Sequence, residues 1–375
     1  MNNKIRPAWV EISRKKAIHN FLEVKRAVKP NVKVCAVVKA DSYGMGSIEL
    51  SKMYVENGVD MLAVAVISEA FELRTEIKDT DILVLGYTPE EFYDDAIENN
   101  ITLSIYTFEL AEKLNAVAKR LNKKAKVHIK IESGMNRLGF FPTEENAKKV
   151  ANMAKMENII VEGIFSHQAR ADEKDKTTAH NQAERFINFN KMLEARNVNI
   201  PIKHIANSAT IIDLPEYHFD MVRPGIILSG FYPSNEVDMD KLKFEICVTL
   251  KARVANVKTI EKGEGVGYGH LFSAEQSTVV GTIPLGYADG YSRLLSNKGY
   301  IVVKGVKCPI LGKVCMDQFM IDLSNVENPQ IGDEAIIYGD GTDNAMTAED
   351  VANMRGTISY EVLTNLGKRL PRLYL

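Results

Sequence analysis

The chain has 375 residues, 45% hydrophobic and 26% charged, with a formal net charge of −2. That length favours two domains and supplies apolar mass for sizeable cores. Acids and bases are interspersed, which argues against a nucleic-acid partner or an anionic membrane surface. No apolar run approaches the ~20 residues that span a bilayer, and residues 1–9 (MNNKIRPAW) hold no apolar segment of the secretory kind. Four cysteines, Cys35, Cys247, Cys308 and Cys315, are scattered without a CxxC pair or a nearby histidine. Reduced thiols are expected rather than a disulfide frame or a metal site, as is a cytoplasmic location.

A first helix is expected from about Ser13, its cap, towards Pro30. Strand-like runs follow at 33–40 (KVCAVVKA), 61–66 (MLAVAV), 81–86 (DILVLG) and 101–106 (ITLSIY). Four more lie at 126–132 (KVHIKIE), 159–167 (IIVEGIFSH), 202–206 (IKHIA) and 221–230 (MVRPGIILSG). Most are too continuously apolar for a sheet with one wet face, which favours covered parallel strands. Helical spacing at 48–57, 68–77, 107–121 and 178–196 alternates with them. The fold class expected is α/β, an N-terminal (β/α)8 TIM barrel over residues 1–240. The rival, an open doubly wound sheet, lacks a glycine-rich dinucleotide fingerprint after its first strand.

Beyond Tyr232 the texture changes. Residues 233–243 read as a linker, and β-branched stretches follow at 244–260, 277–285, 299–303, 308–323 and 334–338. They predict a mostly antiparallel β C-terminal domain over 241–375. One short helix, 347–354, interrupts it, with Thr347 as cap and Gly356 as stop.

Lys39 is the most unusual residue. It closes an otherwise apolar run, where a lysine is costly unless paired, deprotonated or capped; alone, it reads more readily as a snorkelling strand end. Its sequel, Ala40–Gly46 (ADSYGMG), suggests a tight turn whose amides could face an anion. A desolvated lysine beside such a site suits covalent chemistry with a phosphorylated aldehyde.

Residues 36–46 (AVVKADSYGMG) closely resemble the pyridoxal-phosphate attachment motif of the alanine racemases. The likeness continues through 130–139 (KIESGMNRLG), 166–175 (SHQARADEKD), 204–208 (HIANS), 221–225 (MVRPG), 266–269 (VGYG), 286–291 (GYADGY), 314–318 (VCMDQ) and 356–362 (GTISYEV). Nine pieces in order, over both expected domains, are specific where one would not be.

The resemblance implies that Lys39 carries pyridoxal 5'-phosphate and is one of two acid/base groups. Tyr268 is the other, on the opposite face of a small amino acid; moving a proton from one face to the other needs both. His167 and Arg223 would supply the setting that lets a phenol act as a base, with Arg223 on the cofactor's pyridine nitrogen. Arginine hardly gives up a proton, so that nitrogen would stay neutral. Tyr43, Ser208 and Tyr360, with the amides of Gly225 and Ile226, would hold the phosphate, and Asn207 would cap a helix beside it. Arg137, the Met316 backbone and Asp317 match the substrate-carboxylate contacts, and Tyr287 an entrance residue. Lys130 matches a position that carries a carbamate in some members; as a strand lysine it reads equally as solvent-facing. The likeness further implies a homodimer with composite sites, the second domain reaching across to the partner.

The chain departs from the family pattern at Asp41, Ser42, Met45, Ser166, Gln168 and Ser229, none of which removes a group the chemistry needs. Gln168 and Ser229 bear on packing, and so on substrate breadth. Alanine is the expected substrate. Serine or a wider range is the alternative, because one methylene is worth only ~1–3 kcal/mol of discrimination. A decarboxylase or a non-catalytic cofactor carrier stands further off: Arg223 argues against the first, the second domain against the other.

Overall fold

The computed structural model describes residues 6–375; residues 1–5, part of the start read above for a leader, lie outside the described residues. The chain divides into two compact units. One comprises Ile18–Ser42 and Ser47–Phe244; the other comprises the segment up to Ala17, Tyr43–Gly46 and Glu245–Leu375.

Strand β1 (Ala8–Ile12) and helix α1 (Arg14–Ala27) open the described chain. The first unit is built on eight parallel strands: β2 (Lys33–Val37), β3 (Met61–Val64), β4 (Asp81–Val84), β5 (Ile101–Ile105), β6 (Ala125–Lys130), β7 (Ile159–Phe165), β8 (Ile202–His204) and β9 (Met221–Val222). They pair in chain order from β2 to β8, and β9 lies beside β2. Backbone bonds close the circle, Asp220 N–H to Lys203 O and Arg223 N–H to Ala206 O, both 3.0 Å. This is the expected (β/α)8 barrel. Strand β9 is far shorter than the apolar run 221–230, because Pro224 has no amide to extend a ladder. The rest of that run folds into a 3-10 turn, Ile226–Ser229.

Register decides what faces the lumen. Cys35, Val37, Met61, Ala63, Leu83 and Met221 form an apolar cluster on one side. Leu83 pairs with Thr102, Ser104 with His128, Lys130 with Phe165 and Phe165 with His204, so the same face turns polar around β5 to β8. His128 fits there because the β6–β7 register slips at Val127/His128 and puts Gly163 opposite it. A Cβ at Gly163 would lie 2.5 Å from the imidazole. Only glycine fits.

Among the covering helices, α6 (Phe108–Arg120) and α7 (Glu144–Met153) begin at threonine caps, Thr107 and Thr143, whose hydroxyls accept N–H bonds of 3.2 and 3.3 Å. The second unit holds a nine-stranded, mostly antiparallel sheet. Its strands include β10 (Val248–Arg253), β14 (Thr278–Ile283), β17 (Phe319–Asp322) and β18 (Glu334–Tyr338). Both ends of the described chain join it: β1 pairs antiparallel with β10 and parallel with β19 (Arg372–Tyr374). Two helices pack there rather than the one expected, α10 (Ala348–Arg355) and α11 (Ser359–Thr364); Thr347 caps the former and Gly356 stops it. Among the described residues no helix is long and apolar enough to cross a membrane, and no His/Cys/Asp/Glu group could hold a metal.

Candidate active site

Strand β2 ends at Val37, and Lys39 opens a helical segment, α2 (Lys39–Gly44), that is wound left-handed. Ala40, Asp41, Ser42 and Tyr43 have φ of 52, 55, 51 and 55°. Left-handed winding costs an L-residue ~1–2 kcal/mol, so the surroundings must hold this run in place. Glu69 does much of that holding: its carboxylate accepts the N–H groups of Ala40 (2.6 Å), Ala65 (2.8 Å) and Val66 (3.2 Å). Burial lowers the Lys39 pKa, Arg137 lowers it further and Glu69 opposes both.

The amide platform expected after Lys39 is not open to an anion. The Asp41 carboxylate accepts the Ser47 N–H at the start of α3 (Ser47–Glu56), at 2.8 Å. A Cβ at Gly46 would strike the Tyr374 hydroxyl. A carboxylate already occupies that helix end. Donors instead meet at the end of the neighbouring strand β9, where the Gly225 N–H donates to Ser208 Oγ at 3.0 Å, directly before the Ile226–Ser229 turn. Asn207 caps α9 (Ser208–Asp213) as expected, accepting the Thr210 N–H at 3.1 Å.

Arg223 is buried and donates to Ser166 O (2.8 Å) and Ile205 O (3.2 Å), and it lies 3.5 Å from His167 Nδ1. Its Nη1 donates to His204 Nδ1 at 2.7 Å, and His204 Nε2 lies 2.8 Å from His128 Nδ1. A guanidinium has no lone pair to offer, so His204 Nδ1 must accept. Its Nε2 then carries the proton and donates to His128, whose own proton must sit on Nε2. The tautomers of both rings follow from one arginine. Burial, with the Arg223 charge second, holds His128 down to about 3 and His204 and His167 well below the ordinary 6.5. Burial brings Arg223 itself down to about 10.

A pH dependence follows. Between pH 6.5 and about 3 the unfolded chain protonates a histidine that folded His128 leaves neutral. Stability therefore rises with pH across that window and falls as acid is added. Histidine ring 15N shifts should show two imidazoles fixed as Nε2–H from pH 5 to 9. A titration midpoint inside that range for either ring would refute the relay.

Lys130 lies beneath this group, buried, donating to Ile131 O at 2.9 Å with its amine 5.3 Å from the Phe165 ring centre. Burial and then Arg223 bring its pKa down to about 7, so the solvent-facing reading of this lysine fails. The loop after it presents exposed Arg137 and is stapled from below by Glu132, which accepts the N–H groups of Gly134 (2.6 Å) and Arg137 (3.0 Å). Burial disfavours the Glu132 charge, but the amides of Asn136, Gly134 and Arg137 outweigh it and keep the carboxyl below its usual range. Glu132, His128 and His204 escaped the sequence reading, which took the first and last as parts of longer motifs.

Three of the departures from the family pattern are held by side-chain hydrogen bonds. Ser166 Oγ donates to Ile131 O (2.8 Å), Gln168 Nε2 to Ala179 O (3.0 Å), and Ser229 Oγ to Ile226 O (2.6 Å).

The second unit brings together the rest. Tyr268 stands between Gly267 and Gly269, at φ 69 and 70°, and is 72% exposed. The turn 286–291 zips to 315–317: Tyr287 N–H donates to Cys315 O (3.1 Å) and Ala288 N–H to Met316 O (2.9 Å). A Cβ at Gly286 would lie 2.3 Å from Met316 O, so this close approach needs glycine. Buried Asp289 ties the turn down, accepting from Arg6 Nη2 (2.6 Å) and the Gly286 N–H (3.0 Å). Arg369 links Asp289 (3.4 Å) to Asp317 (2.7 Å), an arrangement no local motif announced. Tyr43 meets Tyr360 edge to face, 6.0 Å between ring centres, and burial raises the Tyr43 pKa.

A parallel barrel carrying a desolvated lysine and a buried arginine at its strand ends, with an antiparallel β unit, defines an enzyme. Residues 12–233 match the alanine racemase N-terminal domain, and residues 247–374 the C-terminal domain. An alanine racemase of Clostridium tetani is 44% identical over 376 residues, covering 100% of this chain and 97% of that protein. One from Methanococcus maripaludis is 42% identical, covering 98% and 99%. Among solved structures, alanine racemase of Clostridium difficile 630 superposes with a TM-score of 0.95 at 39% identity, covering 99% of this chain and 96% of that one. That of Streptomyces coelicolor gives 0.93 at 34%, covering 98% of each. The chain belongs to the alanine racemase family and is an isomerase.

Proposed function

We propose that this chain interconverts L- and D-alanine with pyridoxal 5'-phosphate as cofactor, Lys39 and Tyr268 exchanging protons with opposite faces of the α-carbon. The observation that carries the reading is Lys39, whose amine burial biases towards the neutral form a nucleophile and base requires. The residues present fit the cofactor: at the end of β9, the strand beside that of Lys39, stand buried Arg223 and the Ser208 hydroxyl and Gly225 amide, 3.0 Å apart. Bound, the cofactor would supply the electron sink that lets the α-proton leave.

The chain's own residues do the rest. Lys39 anchors the cofactor and holds or returns a proton at Nζ; Tyr268 does the same at its phenol oxygen. Arg223, fixed by Ser166, Ile205 and His204, keeps its protons at pKa about 10 and would leave the pyridine nitrogen unprotonated, curbing side reactions. His167 would pack on the ring. Ser208, Gly225, Ile226, Tyr43 and Tyr360 would grip the phosphate, with Asn207 holding α9 beside it. Arg137 would fork onto the substrate carboxylate, with Met316 and Asp317 at the same end and Tyr287 at the entrance.

Tyr268 at 72% and Met316 at 53% exposure, with Leu294 and Ile358, are exposed apolar side chains of the second unit, which burial against a second copy would cover. We assign a homodimer in which residues 241–375 complete the site on the partner's residues 1–240. A cytoplasmic role in supplying D-alanine for peptidoglycan fits this activity. Lys130, with a pKa of about 7, is reactive towards CO2 at neutral pH: its amine adds to the carbon, a carbamate forms and one proton is released. The anion would offset the Arg137 and Arg223 charges. A carbamate 13C resonance should appear under labelled bicarbonate and vanish in Lys130→Ala; its absence at pH 8 would remove this assignment.

The deciding experiment incubates the protein and cofactor with each L-amino acid in deuterated water. Alanine should gain deuterium at the α-carbon as the D-isomer appears. Faster inversion of serine would assign a serine racemase, release of CO2 a decarboxylase, and no exchange would reject the reading.

A further inference from the structure

Gln168 follows His167 just past β7 and is only 2% exposed. A buried amide is costly unless its polar atoms are matched. Both ends of this one are, and the partners lie on two different helices. Nε2 donates to Ala179 O in the first turn of α8 (Thr177–Glu194), at 3.0 Å. A carbonyl can only accept, so the NH2 end must face α8 and Oε1 must face α9. Oε1 accepts the Thr210 hydroxyl of α9, and the Gln168 carbonyl accepts Asn207 Nδ2 at 3.3 Å. Helix α8 grips the flanking residues as well. Gln182 Nε2 donates to His167 O at 3.2 Å, and Gln182 Oε1 accepts the Ala169 N–H at 2.8 Å.

This cross-link joins two groups assigned above to the cofactor. His167 lies at one end. At the other, α9 begins with Ser208, two residues before Thr210, its hydroxyl 3.0 Å from the Gly225 amide. Packing alone does not call for an amide here. An apolar side chain of the same length would fill the space, and the Thr210 hydroxyl would keep Asn207 Oδ1, 3.1 Å away, as acceptor. What the amide adds is a fixed distance, because satisfied buried hydrogen bonds rigidify where apolar contact lets neighbours slide. We propose that Gln168 is a positioning residue that, through Thr210, sets the spacing between His167 and Ser208, and so how tightly the cofactor's ring and phosphate are held at once. This role rests on the reading in which His167 and Ser208 contact pyridoxal 5'-phosphate.

The test follows the visible absorbance of holoenzyme after dilution into cofactor-free buffer, which reads cofactor release. Gln168→Met, close in length and volume, should speed release about 10-fold, the scale of one well-placed hydrogen bond. Thr210→Val should do the same, and the double variant should release no faster than either, because both remove one link. Asn190→Leu is the control: it also removes a buried amide of α8, but one whose Nδ2 donates within its own helix, to Phe186 O at 2.8 Å. That variant should lower Tm and leave release unchanged. Release at the native rate from Gln168→Met, equally fast release from Asn190→Leu, or additive effects of Gln168→Met and Thr210→Val would each overturn the role. Native protein without visible absorbance would instead remove the cofactor reading, and this role with it.

Discussion

Lys39→Ala is expected to abolish visible absorbance from bound cofactor and to lower racemisation by more than about 10⁴-fold, beyond the loss of an acid/base group alone. Two roles disappear together, the anchor and one proton carrier. The fold should survive, because Lys39 Nζ makes no hydrogen bond on which the left-handed segment relies; that segment is held through backbone groups by Glu69 and Asp41. An unchanged far-ultraviolet dichroism spectrum would establish this. Retained cofactor absorbance would remove Lys39 from its place.

Tyr268→Phe should separate binding from chemistry. The phenol is largely exposed and its ring remains, so stability should change by less than about 0.5 kcal/mol. Cofactor absorbance should persist. Racemisation should fall ~10²–10⁴-fold, the usual loss for one positioned acid/base group, or about 3–5 kcal/mol in the barrier. A variant racemising at the native rate would leave Lys39 without its counterpart.

The barrel was legible because its strands announce themselves. Runs such as MLAV and DILV are apolar on both faces, and the helices between them carry threonine caps that a reader can find at Thr107. Other elements gave little signal. Strand β1 precedes the barrel in sequence but pairs with β10, some 240 residues later, and no local pattern encodes so distant a partner. Run 221–230 looks continuous until Pro224 withdraws an amide. The left-handed winding of Ala40–Tyr43 opposes the preference of every residue in it, so only tertiary contacts specify it. In the same way the Arg223–His204–His128 relay joins residues far apart in the chain, and no local pattern singles out its two histidines. Residues whose chemistry is local to a motif, such as Lys39 and Arg137, were recognisable; those that act by holding them, such as Glu69, Glu132 and Asp289, were not. Their partners lie up to 283 positions away in the chain.

Two proton carriers serving opposite sides of one carbon are tested most directly by isotope exchange in Tyr268→Phe. Holoenzyme of this variant is incubated separately with L- and D-alanine in deuterated water. One enantiomer should acquire α-deuterium with its configuration retained, through Lys39, while the other exchanges scarcely at all and little inversion occurs. Equal exchange into both enantiomers, or inversion keeping pace with exchange, would contradict this assignment.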